Sequence, residues 1–179
     1  DDVLKQLIPD NLVLENRARG MSPNKPTIRG TAQNPDVYFQ GREAANPLYE
    51  KTPEIVQKCM DEFEKLTGRK YGLVEYVGDK NAENVIVAMG SAVDTIEETL
   101  PHLPSGLGLI KVHLYRPFDM EYFLDKMPKT VKKIAVLDRT KEPGSIGEPL
   151  YLDVVTALAS KGRHIDKVIG GRYGLGSKD

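Results

Sequence analysis

From residue 84 onward, apolar runs of strand length alternate with segments patterned for helix. Val85-Ile86-Val87-Ala88-Met89 is continuously apolar and closes at Gly90-Ser91. The stretch after it places Val93, Ile96 and Leu100 on one side and Glu97 and Glu98 on the other. Leu109 to Leu114 forms a second apolar run, followed by a helical pattern from Phe118 to Met127 that stops before Pro128. Ile134 to Asp138 is a third run; Pro149 then opens a helix through Ala159 that ends at Lys161-Gly162, and Val168-Ile169 starts a fourth run entering Gly170-Gly171. Runs apolar on both faces suit strands covered from both sides, and intervening helices of about ten residues imply right-handed crossovers between parallel strands. The pattern predicts an α/β three-layer sandwich around a mainly parallel sheet.

The first half of the chain is patterned differently. Thr52 is a good N-cap, Pro53 suits the first helical position, and Gly68 stands just past the last periodic residue, so a helix is expected between them. Ile55, Val56, Cys59, Met60, Phe63 and Leu66 recur at three-to-four spacing and form its expected core side, with Cys59 a buried small hydrophobe. From Asp1 to about Tyr49 the punctuators Pro9, Gly20, Pro23, Pro26, Gly30, Pro35, Gly41 and Pro47 leave little periodicity. An irregular, extended segment lying over neighbouring structure is expected, with Asn34-Pro35-Asp36 as a turn and Val37-Tyr38-Phe39 as a docking cluster.

Composition removes several function classes. With 25 basic and 26 acidic residues mixed along 179, the net charge of -1 offers no footprint for nucleic acid or anionic lipid. One cysteine can neither close an internal disulfide nor ligate an iron–sulfur cluster, which wants about four thiolates. No apolar run reaches the roughly 18 residues of a membrane span and no leader pattern is visible, so a cytoplasmic setting is expected. The opening Asp1-Asp2-Val3 and the glycine-rich end read as cuts in a longer polypeptide.

Candidate chemistry is sparse. The stretch from Gly170 to Lys178 follows a strand, but Ser177 precedes Lys178, the reverse of a phosphate-binding P-loop, and a domain-junction turn is the better reading. The loop from Asp138 to Gly147 lies where doubly wound sheets bind ligands, yet Asp138, Arg139, Lys141 and Glu142 mix signs in a way that suits an inter-domain ion-pair network. Arg116, between Tyr115 and Pro117, is placed either to brace the strand-to-helix turn or to hold a carboxylate or phosphate. None of His102, His113 and His164 has the neighbours of a triad or metal site.

Tyr115-Arg116-Pro117-Phe118-Asp119, the run from Val131 to Asp138, and Gly144-Ser145-Ile146-Gly147-Glu148 are similar to the C-terminal domain of transketolase-like enzymes. More narrowly, Arg29-Gly30-Thr31-Ala32-Gln33-Asn34-Pro35-Asp36, Leu137 to Gly144, Gly147 to Val154 and Gly170-Gly171-Arg172-Tyr173-Gly174-Leu175 resemble the pyruvate:ferredoxin oxidoreductase family, in order over essentially the whole chain. The resemblance implies that residues 1–72 are the tail of a pyrimidine-binding domain plus a connecting helix, and that residues 73–179 form the transketolase-C-like second domain. It implies a homodimeric enzyme that decarboxylates pyruvate on thiamine diphosphate with Mg²⁺, passes electrons through iron–sulfur clusters to ferredoxin or flavodoxin, and delivers acetyl to coenzyme A. No Gly-Asp-Gly segment for Mg²⁺ and diphosphate occurs here, so this chain is expected to hold no cofactor and to be inactive alone, its partners being other domains of the same polypeptide. Arg29, Asn34, Arg116, Asp138, Arg139 and Arg172 are the candidates for contacts between domains or for support of a neighbouring site. A self-sufficient nucleotide- or coenzyme A-binding domain and an oligomerisation module are the competing readings.

Overall fold

A computed structural model describes residues 1–27, 30 and 32–176, divided into two compact units, Asp1–Tyr71 and Gly72–Asp179. The N-terminal unit is helical: α1 (Asp2–Leu7), α2 (Asp10–Ala18), α3 (Pro35–Ala44) and α4 (Asn46–Thr67). The expectation of an irregular, extended segment is therefore corrected. Pro9 stands at the N-cap of α2, Gly20 beyond its end and Pro35 at the opening of α3, while Gly41 lies inside α3 without breaking it. Asn34-Pro35-Asp36 is the start of α3 and no turn.

The long helix also begins earlier than its pattern suggests. Pro47 occupies the opening turn of α4, which places Pro53 in the interior, and the Thr52 hydroxyl donates to the Leu48 carbonyl (2.9 Å) instead of capping. Gly68 ends it in the left-handed conformation (φ 73°), its N–H donating to the Glu64 carbonyl at 2.7 Å. The expected core side of α4 is not a core. Ile55 is 56% exposed and Cys59 is exposed, so the reading of Cys59 as buried is overturned. Among the described residues this unit buries Pro53 alone.

The C-terminal unit carries the sheet: β1 (Val74–Gly78), β2 (Asn84–Met89), β3 (Leu107–Val112), β4 (Lys133–Asp138) and β5 (Lys167–Arg172) in the order β1-β3-β2-β4-β5. The four strands β2 to β5 are parallel, and β1 runs antiparallel along β3, an edge strand the apolar pattern does not reveal. Connecting helices are α5 (Ala92–Thr99), α6 (Met120–Lys126) and α7 (Pro149–Ser160).

Strand alternation sorts the core into two layers. Val85, Val87, Ile110, Val112, Ile134 and Val136 meet Phe123 of α6 and Leu150, Val154, Ala157 and Leu158 of α7. On the opposite face Ala88 and Leu109 meet Val93 of α5, with Ile86, Ile96, Leu100 and Leu137 partly buried against them. The three-layer α/β sandwich is present, with one outer layer of two helices and the other of one.

Candidate functional site

The parallel strands deliver their following loops to one edge of the sheet, where ligands of such folds bind. Asp138, the last residue of β4, is only 1% exposed, and its two carboxylate oxygens accept the N–H groups of Leu150 (2.9 Å) and Tyr151 (3.1 Å) in the first turn of α7. A carboxylate there satisfies two orphan helix donors. Burial nevertheless pushes the Asp138 carboxyl above its usual range, against those two hydrogen bonds and with nearby Glu148 and Asp153 adding to the rise.

Glu148, buried just before α7, accepts from Arg172 Nε (2.5 Å) and from the Glu142 N–H (2.8 Å). Burial works to raise its carboxyl, but the Arg172 guanidinium and the Glu142 N–H together hold it below the usual range. Lys141 Nζ stands 4.0 Å from the same carboxylate. The Tyr151 ring packs against both Gly147 and Gly170: a Cβ at Gly147 would run into it, and one at Gly170 would touch it tightly at 3.3 Å.

Arg116 follows the end of β3 and precedes Pro117 through a cis peptide bond. Its Nη1 donates to Asp153 (2.7 Å), its Nη2 to the Tyr115 hydroxyl (2.8 Å), and the guanidinium lies 3.9 Å from the Tyr115 ring centroid. Burial and the neighbouring Asp153 push the Tyr115 hydroxyl up to about 12. Arg139 Nε donates to the Gly174 carbonyl (3.2 Å), and the Tyr173 hydroxyl donates to the Met89 carbonyl (3.1 Å) across from β2.

Four of the candidates, Arg116, Asp138, Arg139 and Arg172, thus share this edge, and each is engaged within the C-terminal unit. The partners that the sequence reading left unassigned as candidates are Tyr115, Glu148 and Asp153. Glu148 carried a local signal, standing immediately before the helix-opening Pro149, whereas Arg116 and Asp153 are 37 positions apart and nothing local couples them. Asn34 lies in the other unit at the N-cap of α3, where its side chain makes no capping bond, and Arg29 lies outside the described residues. His113 Nε2 is 3.5 Å from Glu75, which also accepts from Lys111 at 2.9 Å. Among the described residues no group of three or more His, Cys, Asp or Glu is arranged to hold a metal ion.

The edge therefore offers satisfied charges, and among the described residues no nucleophile stands poised against a base. The family model for pyruvate:ferredoxin oxidoreductase core domain II matches residues 82–177. The chain belongs to this family. Pyruvate-flavodoxin oxidoreductase of Trichormus variabilis is 57% identical over 180 residues, covering 98% of this chain and 15% of that protein. Pyruvate:ferredoxin oxidoreductase of Moorella thermoacetica is 55% identical over 179 residues with the same two coverages, 98% and 15%. A probable pyruvate-flavodoxin oxidoreductase of Escherichia coli is 48% identical over 187 residues, 100% of this chain and 16% of that protein. The chain thus spans about 15% of the length of these relatives, and the core domain II match lies within its C-terminal unit. No helix among the described residues is long and apolar enough to cross a membrane.

Proposed function

We propose that this chain is a scaffolding and inter-domain segment of a thiamine-diphosphate-dependent oxidoreductase that converts pyruvate and coenzyme A to acetyl-CoA and CO₂, with ferredoxin or flavodoxin as electron acceptor. Residues 1–72 then correspond to the tail of the pyrimidine-binding domain with its connecting helix, and residues 73–179 to the transketolase-C-like second domain. The observation that carries the reading is the saturation of the sheet's carboxyl edge: Asp138, Glu148, Arg116, Arg139 and Arg172 are all spent on holding the loops of their own unit. Groups so engaged stiffen a surface against which another domain can close.

The residues present do not fit the cofactors of such an enzyme. A lone exposed Cys59 does not supply the roughly four thiolates of an iron–sulfur cluster, and the buried carboxylates at the edge already face N–H and guanidinium donors. Thiamine diphosphate, Mg²⁺ and the clusters are accordingly assigned to other parts of a homodimeric, cytoplasmic enzyme. Arg116, Asp138, Arg139 and Arg172 support the edge, and Arg29 and Asn34 are assigned to contacts with neighbouring domains.

Calorimetry and dye reduction test this. The 179-residue chain is expected to give a flat thiamine diphosphate titration and no pyruvate-dependent reduction of a viologen dye, while the full polypeptide binds the cofactor and reduces the dye. Tight cofactor binding by the short chain overturns the reading.

A further inference from the structure

The face of the sheet that carries α5 is only half covered. α5 packs on β2 and β3, whereas α6 and α7 build the layer on the other side. Over β4 and β5 the α5 side leaves a groove of about 340 Å³ whose floor includes Ile86, Ala135 and Ile169. These three are not scattered: Ile86 pairs in register with Ala135, and Ala135 with Ile169, so they form one apolar row across three strands. Ile169 is 49% exposed in the row. One row nearer the strands' amino ends, Lys133 and Lys167 are register partners, both exposed and neither with an ion-pair partner among the described residues. Like charges set opposite each other on neighbouring strands weaken the pairing unless a counter-charge lies over them.

We propose that this groove is the seat of an amphipathic helix from the part of the same polypeptide outside these 179 residues, with a large apolar side chain over Ala135 and Ile169 and an Asp or Glu one turn away over Lys133 and Lys167. Parallel sheets are covered by helices on both faces, and here the row Ile86, Ala135 and Ile169 lines an open groove. The small Ala135 between Ile86 and Ile169 leaves room for an anchor side chain. The spacing also agrees: two residues along a strand span about 6.6 Å, close to the roughly 5.4 Å rise of one helical turn, so one helix lying along β4 serves both rows. The relatives supply the length, since this chain covers about 15% of each. This inference rests on the reading of the chain as one domain of a longer polypeptide, and it adds which surface the remainder covers and with what chemistry.

The test uses the full-length protein with the photo-cross-linking residue p-benzoylphenylalanine at position 169. Irradiation is expected to give an intramolecular cross-link, independent of protein concentration, that mass spectrometry maps to a peptide beyond residues 1–179 with an Asp or Glu within four residues of the adduct. A cross-link to a second copy, to a peptide within residues 1–179 or to a peptide lacking an acidic residue overturns the proposal, as does the absence of any adduct. A second variant, full-length K133E/K167E, is expected to lower the thermal midpoint by several degrees, and an unchanged midpoint counts against the acidic partner. Pyruvate-dependent dye reduction by the unsubstituted full-length protein scores the functional reading separately. A mapped cross-link in a protein inactive toward pyruvate leaves the groove assignment standing while the functional reading falls.

Discussion

The two units solve the same problem in opposite ways. The C-terminal unit buries its own apolar surface: Leu73, Val87, Leu109, Ile110, Phe123, Ile134 and Leu150 are at most 1% exposed. Among the described residues the N-terminal unit makes four helices yet buries no large hydrophobic, and Leu14, Met21, Phe39 and Leu48 are each more than 60% exposed. Short helices are marginal in water without tertiary packing, and monomeric proteins rarely leave so much apolar surface uncovered. One unit contains its reason for folding, whereas the described residues of the other supply no apolar core of their own.

The sharpest way to break the comparison is to truncate an aromatic side chain in each unit. Phe123→Ala empties a wholly buried position that packs 5.4 Å, centroid to centroid, from Phe118, and is expected to destabilise the chain by about 3–5 kcal/mol. Phe39→Ala, at a position 62% exposed, is expected to cost less than about 0.5 kcal/mol in the same urea titration. A large cost at Phe39 means that the N-terminal unit has a core of its own.

Next in size is the anchor of α7. Asp138→Ala strands the Leu150 and Tyr151 N–H groups at a buried helix start, with an expected loss of about 1–3 kcal/mol read from the urea midpoint. Arg116→Ala removes a guanidinium that is 54% exposed and paired to Asp153, and is expected to cost no more than about 1 kcal/mol in the same measurement. Should the two variants cost the same, the edge is a uniform surface and not a buried anchor with an exposed brace.

The same contrast explains what was legible in the sequence. β2, β3 and β4 announce themselves because burial on both faces imposes apolar runs such as Val85 to Met89 and Ile134 to Asp138, whereas β5, with no buried residue, shows only the short run Val168-Ile169. β1 escaped because Val74-Glu75-Tyr76-Val77 pairs on one side only and alternates less cleanly. α1 to α3 escaped because a helix with no buried face has no apolar period to detect, and the prolines that mark the starts of α2 and α3 resemble loop punctuation. Cys59 was misplaced for the mirror-image reason: α4 does have an apolar stripe, but the described residues of its own unit do not bury it. At the edge, the spacing marked Asp138 and Arg116, while their partners Tyr151 and Asp153 are fixed by the crossover that brings α7 back over β4.

The smallest effects separate the units by their ion pairs. Glu54–Lys58 lies along α4 with both side chains about 70% exposed (72% and 68%), whereas Lys111, 13% exposed, sits between Glu75 at 2.9 Å and Glu97 at 3.0 Å. Burial works to raise Glu75, but Lys111, the Gly72 N–H and His113 outweigh it and hold the carboxyl below its ordinary value of 4.5. A carboxyl depressed on folding contributes stability that is complete above the unfolded value and is lost as pH falls through the folded one. Between about pH 5 and pH 3 the wild type is therefore expected to lose more stability than Glu75→Gln, and the difference to persist in molar salt because the cluster is half-buried. Glu54 is also depressed, by its hydrogen bond to Lys58, but in full solvent, so Glu54→Gln is expected to leave the acid limb unchanged once salt is added. Matching salt sensitivity at the two glutamates means that the Glu75 cluster is as open to solvent as the surface of α4.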